Sequence, residues 1–69
     1  MSYSIGQKYV YHDTWSILEV VVIGVANDIL TLRVQKLISV PITIMTEVGD
    51  IFTVSDSQKK TNPFILKPA

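Results

Sequence analysis

Cysteine is absent from this 69-residue sequence, and histidine occurs only once. No disulfide can therefore stabilise the fold, and a zinc site that needs several Cys or His ligands is excluded. Charged residues make up only 17% of the chain, against about 25% in an average soluble domain. The six basic and six acidic residues cancel, so the chain lacks the net positive charge that attracts a protein to phosphate backbones.

Long apolar runs and helical periodicity are missing as well. The apolar stretch at residues 17–32 is interrupted by Glu19, Asn27 and Asp28 and falls short of the ~20 apolar residues of a membrane span. Residues 1–4 lack the basic and apolar regions of a signal peptide. We therefore expect a cytoplasmic protein without a membrane partner. No segment repeats apolar residues at helical spacing, and β-branched residues dominate, which predicts an all-β fold.

What the sequence does contain is one long hairpin at residues 17–37, the most apolar part of the chain. Two β-branched runs flank Asn27-Asp28, a dipeptide that tolerates the positive φ of a tight turn. A two-residue loop at this dipeptide predicts the facing pairs Val25 with Leu30, Ile23 with Leu32, Val21 with Val34, and Glu19 with Lys36. A three-residue loop at 26–28 with a bulge is the alternative.

This register also predicts which side chains of the first hairpin strand form the core. The odd-numbered residues match the inward face of the partner strand and are predicted to point inward: Ile17, Val21, Ile23 and Val25. Leu18, Val20 and Val22 then form a second apolar face with no assigned cover, and exposed apolar patches of this kind usually mark an interface. Gly24, inside the same strand, indicates either a bulge or the close approach of another group.

A shorter strand is predicted before the hairpin, at residues 5–12, where alternation places Tyr9 and Tyr11 on the inward face. Its first part, 5–11, resembles 48–54, because both follow the order apolar, Gly, polar, any, aromatic, any, and apolar or aromatic. We interpret both segments as a glycine turn that opens a strand. Chance similarity in a β-rich chain is the alternative.

Apolar residues recur at the even-numbered positions from Leu30 as far as Ile44, with Lys36 as the one exception, and extend the predicted inward face beyond the hairpin. This pattern predicts two strands, at 29–37 and 40–45, joined by a tight turn or a sharp bend. Pro41 is predicted to lie at an edge or a kink, because proline cannot donate a hydrogen bond to a ladder.

The C-terminal part consists of a short strand at 51–55, a polar loop at 55–63 and a short apolar segment at 64–66. Five to six short strands in a single domain, residues 1–69, predict an all-β fold: a small antiparallel barrel or sandwich of the SH3-like kind. At this size, apolar burial and ordering entropy nearly balance, which favours association as a further source of stability.

No pattern of catalytic or metal-binding residues is present in the sequence. His12 and Asp13 are the one adjacent acid–base pair, and neighbouring residues on a strand point to opposite faces. The carboxylates occur singly, mostly at predicted turns, and lack the spacing of a calcium loop. We therefore expect no enzymatic activity, no cofactor and no metal.

Together these features predict a non-enzymatic binding or assembly module that forms a homo-oligomer, or binds another protein, through an apolar strand face. The predicted interface residues are Leu18, Val20, Val22, Pro41, Phe64, Ile65 and Leu66. The alternative is a nucleic-acid-binding small β-barrel, in which aromatic side chains stack on bases and basic ones contact phosphates. Its predicted ligand-binding residues are Tyr9, Tyr11, Trp15, Arg33, Lys36 and Lys59. On the predicted hairpin, Arg33 and Lys36 point to opposite faces.

Overall fold

The predicted hairpin forms the centre of the structure. The computed structural model describes residues 3–41, 43–55, 57 and 63–69. Its strands are β1 (Lys8–Asp13), β2 (Ile17–Ala26), β3 (Ile29–Ser39), β4 (Ile51–Ser55) and β5 (Phe64–Pro68). They form one open antiparallel sheet in the order β4-β3-β2-β1-β5. The predicted all-β antiparallel fold is thus confirmed, although the ladder does not close into a barrel.

A two-residue loop connects β2 and β3, as the sequence predicts. Asn27 adopts a positive φ of 56°, and the first pair beside the loop is Ala26 with Ile29. Asparagine fits here because its short polar side chain tolerates the left-handed region. The alternative three-residue loop is therefore wrong.

A register shift within β2 changes which of its side chains point inward. Between Val22 and Gly24 the shift leaves Ile23 without a partner, so Val22 rather than Ile23 faces Leu32. Because side chains alternate, one extra residue moves the following side chains to the other face. Gly24 permits a close approach of the two strands here, since a Cβ on it would lie 3.3 Å from the Thr31 side chain.

The prediction that the odd-numbered side chains of β2 form the core is therefore wrong. Leu18, Val20 and Val22 are 3%, 0% and 0% exposed, whereas Ile23 and Val25 are 38% and 45% exposed. The predicted pairs Ile23–Leu32 and Val21–Val34 are replaced by Val22–Leu32 and Val20–Val34. The bulge at Ile23 is the physical reason for the replaced pairs, whereas Val25 keeps its predicted partner Leu30 and is exposed near the loop end of β2.

Two further register shifts leave unpaired residues on β3. The first, next to Glu19, leaves Gln35 unpaired and restores the predicted pairing of Glu19 with Lys36. The second leaves Ile38 unpaired, and its side chain is 50% exposed. The predicted inward series of even-numbered residues is therefore broken along β3.

Glycine turns open β1 and β4 in the same way, which confirms the predicted correspondence between these segments. Gly6 and Gly49 have positive φ values of 88° and 95°. The Gly6 N–H donates to the Val22 carbonyl (2.7 Å), and the Gly49 N–H donates to the Val34 carbonyl (2.8 Å). Each valine N–H donates back to the carbonyl of the residue after the glycine, at 3.1 and 2.8 Å. A positive-φ glycine in this role forms a G1 bulge.

The β1–β2 and β3–β4 ladders repeat one arrangement on the two sides of the hairpin. Each inward pair of one ladder has a counterpart in the other: Tyr9–Val20 with Phe52–Leu32, and Tyr11–Leu18 with Val54–Leu30. Because β2 and β3 run antiparallel, this correspondence is an approximate two-fold relation about the hairpin. β1 and β4 therefore occupy equivalent positions in the sheet.

The core packs against the inward face of the curled sheet. Its buried apolar members are Tyr9, Tyr11, Leu18, Val20, Val22, Leu30, Leu32, Val34, Val54 and Phe64. The predicted inward orientation of Tyr9 and Tyr11 is confirmed. The Tyr11 ring lies 5.2 Å from that of Phe52 on β4 and 5.8 Å from that of Phe64 on β5. Both edge strands thus contact one ring, although they do not pair with each other.

The strand predicted at 40–45 is not formed by the residues of it that the structure describes. β3 ends at Ser39, and the Ile44 N–H then donates to the Pro41 carbonyl (3.0 Å) in a turn. Ile42 lies outside the described residues. Val40 packs against the core from this irregular segment, so apolar burial at an even position does not require a strand here.

The C-terminal strand is longer than the apolar segment predicted at 64–66, because β5 extends over Phe64–Pro68. Most of the polar loop predicted at 55–63 lies outside the described residues. Within the part of the chain that is described, no helix is long and apolar enough to cross a membrane.

Candidate functional site

Asp13 fixes the turn between β1 and β2. Its Oδ1 accepts hydrogen bonds from the Trp15 N–H (2.8 Å), the Ser16 N–H (2.7 Å) and the Ser16 hydroxyl (3.1 Å), and its Oδ2 accepts one from the Tyr11 hydroxyl (3.0 Å). Burial acts to raise the pKa of the Asp13 carboxyl, but the hydrogen bonds outweigh it, so the pKa is lowered. Burial and the bond to Asp13 raise the pKa of the Tyr11 phenol well above its usual range. The pair therefore stays a carboxylate and a protonated phenol at neutral pH.

A cavity of about 320 Å³ lies beside this turn. It is lined by Tyr11, Asp13, Ser16, Leu18, Ile44, Thr46, Asp50, Ile51 and Phe52. Its two carboxylates, those of Asp13 and Asp50, each accept hydrogen bonds from the backbone of their own loop. Asp50 Oδ2 accepts one from the Glu47 N–H at 2.9 Å, as Asp13 does from Trp15 and Ser16. Among the described residues, no group of three or more His, Cys, Asp or Glu side chains could hold a metal. The carboxylates of the cavity thus act as structural acceptors.

His12 lies on the other side of the sheet from this cavity. It is exposed, and its register partners on the neighbouring strands are Ile17 and Ile65. Asp13, in contrast, makes its side-chain hydrogen bonds on the inward side. The two neighbours therefore do not share a site.

The outer face, the side of the sheet that points away from the core, carries all four of the described lysine and arginine side chains. Two neighbouring rows of register partners cross it: Ile51–Arg33–Val21–Lys8 and Lys36–Glu19–Val10–Lys67. Lys8, Arg33, Lys36 and Lys67 are all exposed. Glu19 is the one carboxylate in these two rows, so the two rows hold four cations and a single anion, and their other members are aliphatic.

The prediction that Arg33 and Lys36 point to opposite faces is wrong. The bulge at Gln35 adds one residue between them, so they lie opposite Val21 and Glu19, respectively. These two residues of β2 are two positions apart and share a face. The bulge therefore brings two cations together that simple alternation would separate.

The predicted aromatic ligand-binding residues do not join these cations. Tyr9 and Tyr11 are only 5% and 7% exposed, and the Tyr9 hydroxyl donates to Gln7 Oε1 at 2.9 Å. They are core residues and cannot stack on a base. Trp15 is 70% exposed in the turn after β1. Lys59 lies outside the described residues.

Three of the predicted interface residues, Leu18, Val20 and Val22, form no surface. They are buried in the core of a single chain, beneath side chains from its own β1, β3 and β4. Their assignment to an uncovered face followed from the unshifted register, which the bulge at Ile23 overturns. A contact with another molecule therefore has to use other side chains.

The remaining predicted interface residues lie in different environments. Phe64 is buried, and Leu66 is partly buried against the core. Ile65 is 52% exposed and lies beside His12 on the outer face. Pro41 belongs to the turn after β3 and lies in none of the strands that the described residues form.

Large apolar side chains are nevertheless exposed over much of the surface. Among the described residues these are Ile5, Trp15, Ile23, Val25, Ile29, Leu37, Ile38, Met45, Val48, Ile51 and Ile65. No protein-family model, curated protein or solved structure matches the chain.

Proposed function

We propose that the protein is a non-enzymatic assembly module that self-associates through apolar side chains on its surface. The proposal rests on the number of large apolar side chains exposed on so small a chain, with Met45 at 92% and Trp15 at 70%. Soluble monomers rarely leave large apolar patches in water. The zero net charge adds little repulsion between copies, which favours association further.

We also propose an SH3-like architecture, in which β5 returns to pair with β1 after the meander of β1 to β4. The Tyr11 ring supports this reading, because Phe52 and Phe64 of the two edge strands both contact it. Side chains rather than a continuous ladder would then close the barrel. Cytoplasmic residence stays a prediction from the cysteine-free composition.

Sedimentation velocity over a micromolar concentration series tests self-association. We expect the weight-average sedimentation coefficient to rise with concentration from that of a monomer towards that of a dimer or larger species. Salt screens surface charge but leaves apolar contacts intact, so the rise should persist at high ionic strength. A protein that sediments as a monomer at every concentration would contradict the proposal.

The cations of the outer face favour a second candidate function, the binding of single-stranded nucleic acid. Lys8, Arg33, Lys36 and Lys67 lie in two adjacent rows. Of the strands that carry them, β1 and β5 are neighbours roughly 4.8 Å apart, and β3 lies two strand spacings, roughly 10 Å, from β1. Phosphate contacts of this kind supply most of the affinity of non-specific binding. With Tyr9 and Tyr11 buried, such binding would be mainly electrostatic and nearly independent of base sequence.

Paired substitutions on β3 test this candidate. Arg33→Gln combined with Lys36→Gln should weaken the binding of an oligonucleotide and lower its salt slope by roughly 1.4, since each lost phosphate contact removes about 0.7. Glu19→Gln is the matched variant in the same rows and should tighten binding, because it removes the one carboxylate. Fluorescence anisotropy at low salt measures both effects. Equal binding by the three proteins, or none by the unmodified one, would contradict this function.

A further inference from the structure

The two edges of the sheet differ in how they are protected. In an antiparallel ladder, hydrogen-bonded pairs alternate with pairs whose N–H and C=O groups point away from the partner strand. The Ala69 N–H donates to the Lys8 carbonyl (3.2 Å), so alternation places Phe64, Leu66 and Pro68 on the free edge of β5. Pro68 has no N–H to offer there, and proline is a common way of blocking an edge strand.

β4 lacks this protection. The Val34 N–H donates to the Asp50 carbonyl (2.8 Å), so alternation leaves Ile51, Thr53 and Ser55 with their N–H and C=O groups on the free edge. The strand contains neither a proline nor a charged residue. Within the described part of the chain, no strand pairs with this edge. A row of unpaired backbone groups of this kind is a template for another strand.

The approximate two-fold relation shows what such an edge accommodates. β4 occupies the position equivalent to β1, and the residues of β1 that correspond to Ile51, Thr53 and Ser55 pair with β5 in antiparallel register. Among the described residues, no strand of this chain takes the equivalent place beside β4. β5 therefore covers the edge of β1, whereas no strand among the described residues covers the equivalent edge of β4.

We infer that the β4 edges of two copies pair antiparallel about a two-fold axis at Thr53, an inference that rests on the proposed self-association. Thr53 then faces Thr53 of the second copy, and Ile51 faces Ser55. Facing threonines stabilise a ladder, and β4 itself carries no charge that could meet its like across the axis. Ile51, 60% exposed in a single chain, becomes partly covered. The two sheets join into one, with both outer faces on the same side.

A single introduced thiol tests this geometry directly, because the chain has no cysteine of its own. Facing residues of a hydrogen-bonded antiparallel pair lie about 5.5 Å apart at Cα, a distance that a disulfide spans. With oxidised glutathione, we expect Thr53→Cys to form disulfide-linked dimers on the order of tenfold faster than Thr14→Cys, which is exposed in the β1–β2 turn. Equal rates for the two variants would overturn the pairing of β4.

Two further variants test the same axis without a disulfide. Thr53→Lys places like charges opposite each other and should raise the dimer dissociation constant on the order of tenfold, whereas Thr53→Val should leave it unchanged. Thr53 is exposed, so both variants should keep the circular dichroism of the folded sheet. If Thr53→Lys associates as the unmodified protein does, β4 pairing is wrong while self-association stands. A monomeric unmodified protein would overturn both.

Discussion

Replacement of Val22 by aspartate is expected to unfold the domain. The Val22 side chain is 0% exposed, and a carboxylate placed there would be buried in the apolar core. A buried charge without a partner costs about 3–5 kcal/mol, whereas a domain of this length has roughly 3–10 kcal/mol of stability in total. We expect loss of the β-sheet circular dichroism signal, or a urea midpoint close to zero.

The neighbouring substitution Ile23→Asp is the matched control, because it adds the same charge one residue away. Ile23 is the unpaired residue of the bulge and is 38% exposed, so an aspartate there stays hydrated. We expect it to cost about 1 kcal/mol or less. Urea unfolding at low protein concentration compares the two variants. If Ile23→Asp unfolded the protein while Val22→Asp stayed stable, the side chain of Ile23 rather than that of Val22 would point inward, as the unshifted register predicts.

The second large effect is expected at Asp13. Alanine at this position removes the acceptor of hydrogen bonds from Trp15, Ser16 and Tyr11, and it leaves the partly buried donors of the turn unsatisfied. We expect Asp13→Ala to lower the free energy of unfolding by roughly 2–4 kcal/mol, and Asp13→Asn by less because it keeps one acceptor oxygen. Chemical denaturation at neutral pH measures the loss. No loss in the alanine variant would show that the turn does not depend on this carboxylate.

The same carboxylate makes stability depend on pH. The pKa of Asp13 is lower in the folded state than its usual value of about 3.9, so its contribution is complete above that value and is lost as pH falls through the folded-state pKa. Between about pH 5 and pH 3, the unmodified protein should therefore lose more stability than Asp13→Asn does. The other carboxylates act equally in both proteins. Identical acid sensitivity of the two would contradict this role.

The features that the sequence predicts correctly are local ones. The loop at Asn27-Asp28 depends on the turn chemistry of two residues, and the inward orientation of Tyr9 and Tyr11 depends on alternation over one short strand. The repeated glycine turns are local in the same sense. A glycine at the entry to a strand indicates a positive φ whatever the rest of the fold does.

The faces of the long strands could not be predicted, because they depend on the number of bulges. Gly24 indicates a bulge or a close approach, but Val22 and Ile23 are both β-branched and apolar, so either can point inward. A single bulged residue in β2 exchanges the side chains that point into the core with those that point to the solvent. The same event on β3 brings Arg33 and Lys36 together. The cationic rows therefore depend on the register of β2 against β3, which amino-acid composition does not predict.

The two-fold relation about the hairpin also bears on the origin of the repeated segments. Along the chain, β1 and β2 are followed first by the counterpart of β2 and only then by the counterpart of β1. Tandem duplication of a gene segment preserves the order of its parts, so it would place the counterpart of β1 first. The similarity of the glycine turns is therefore not the trace of a duplicated hairpin. It reflects a single steric requirement, a positive φ, that applies both where β1 enters the sheet and where β4 enters it.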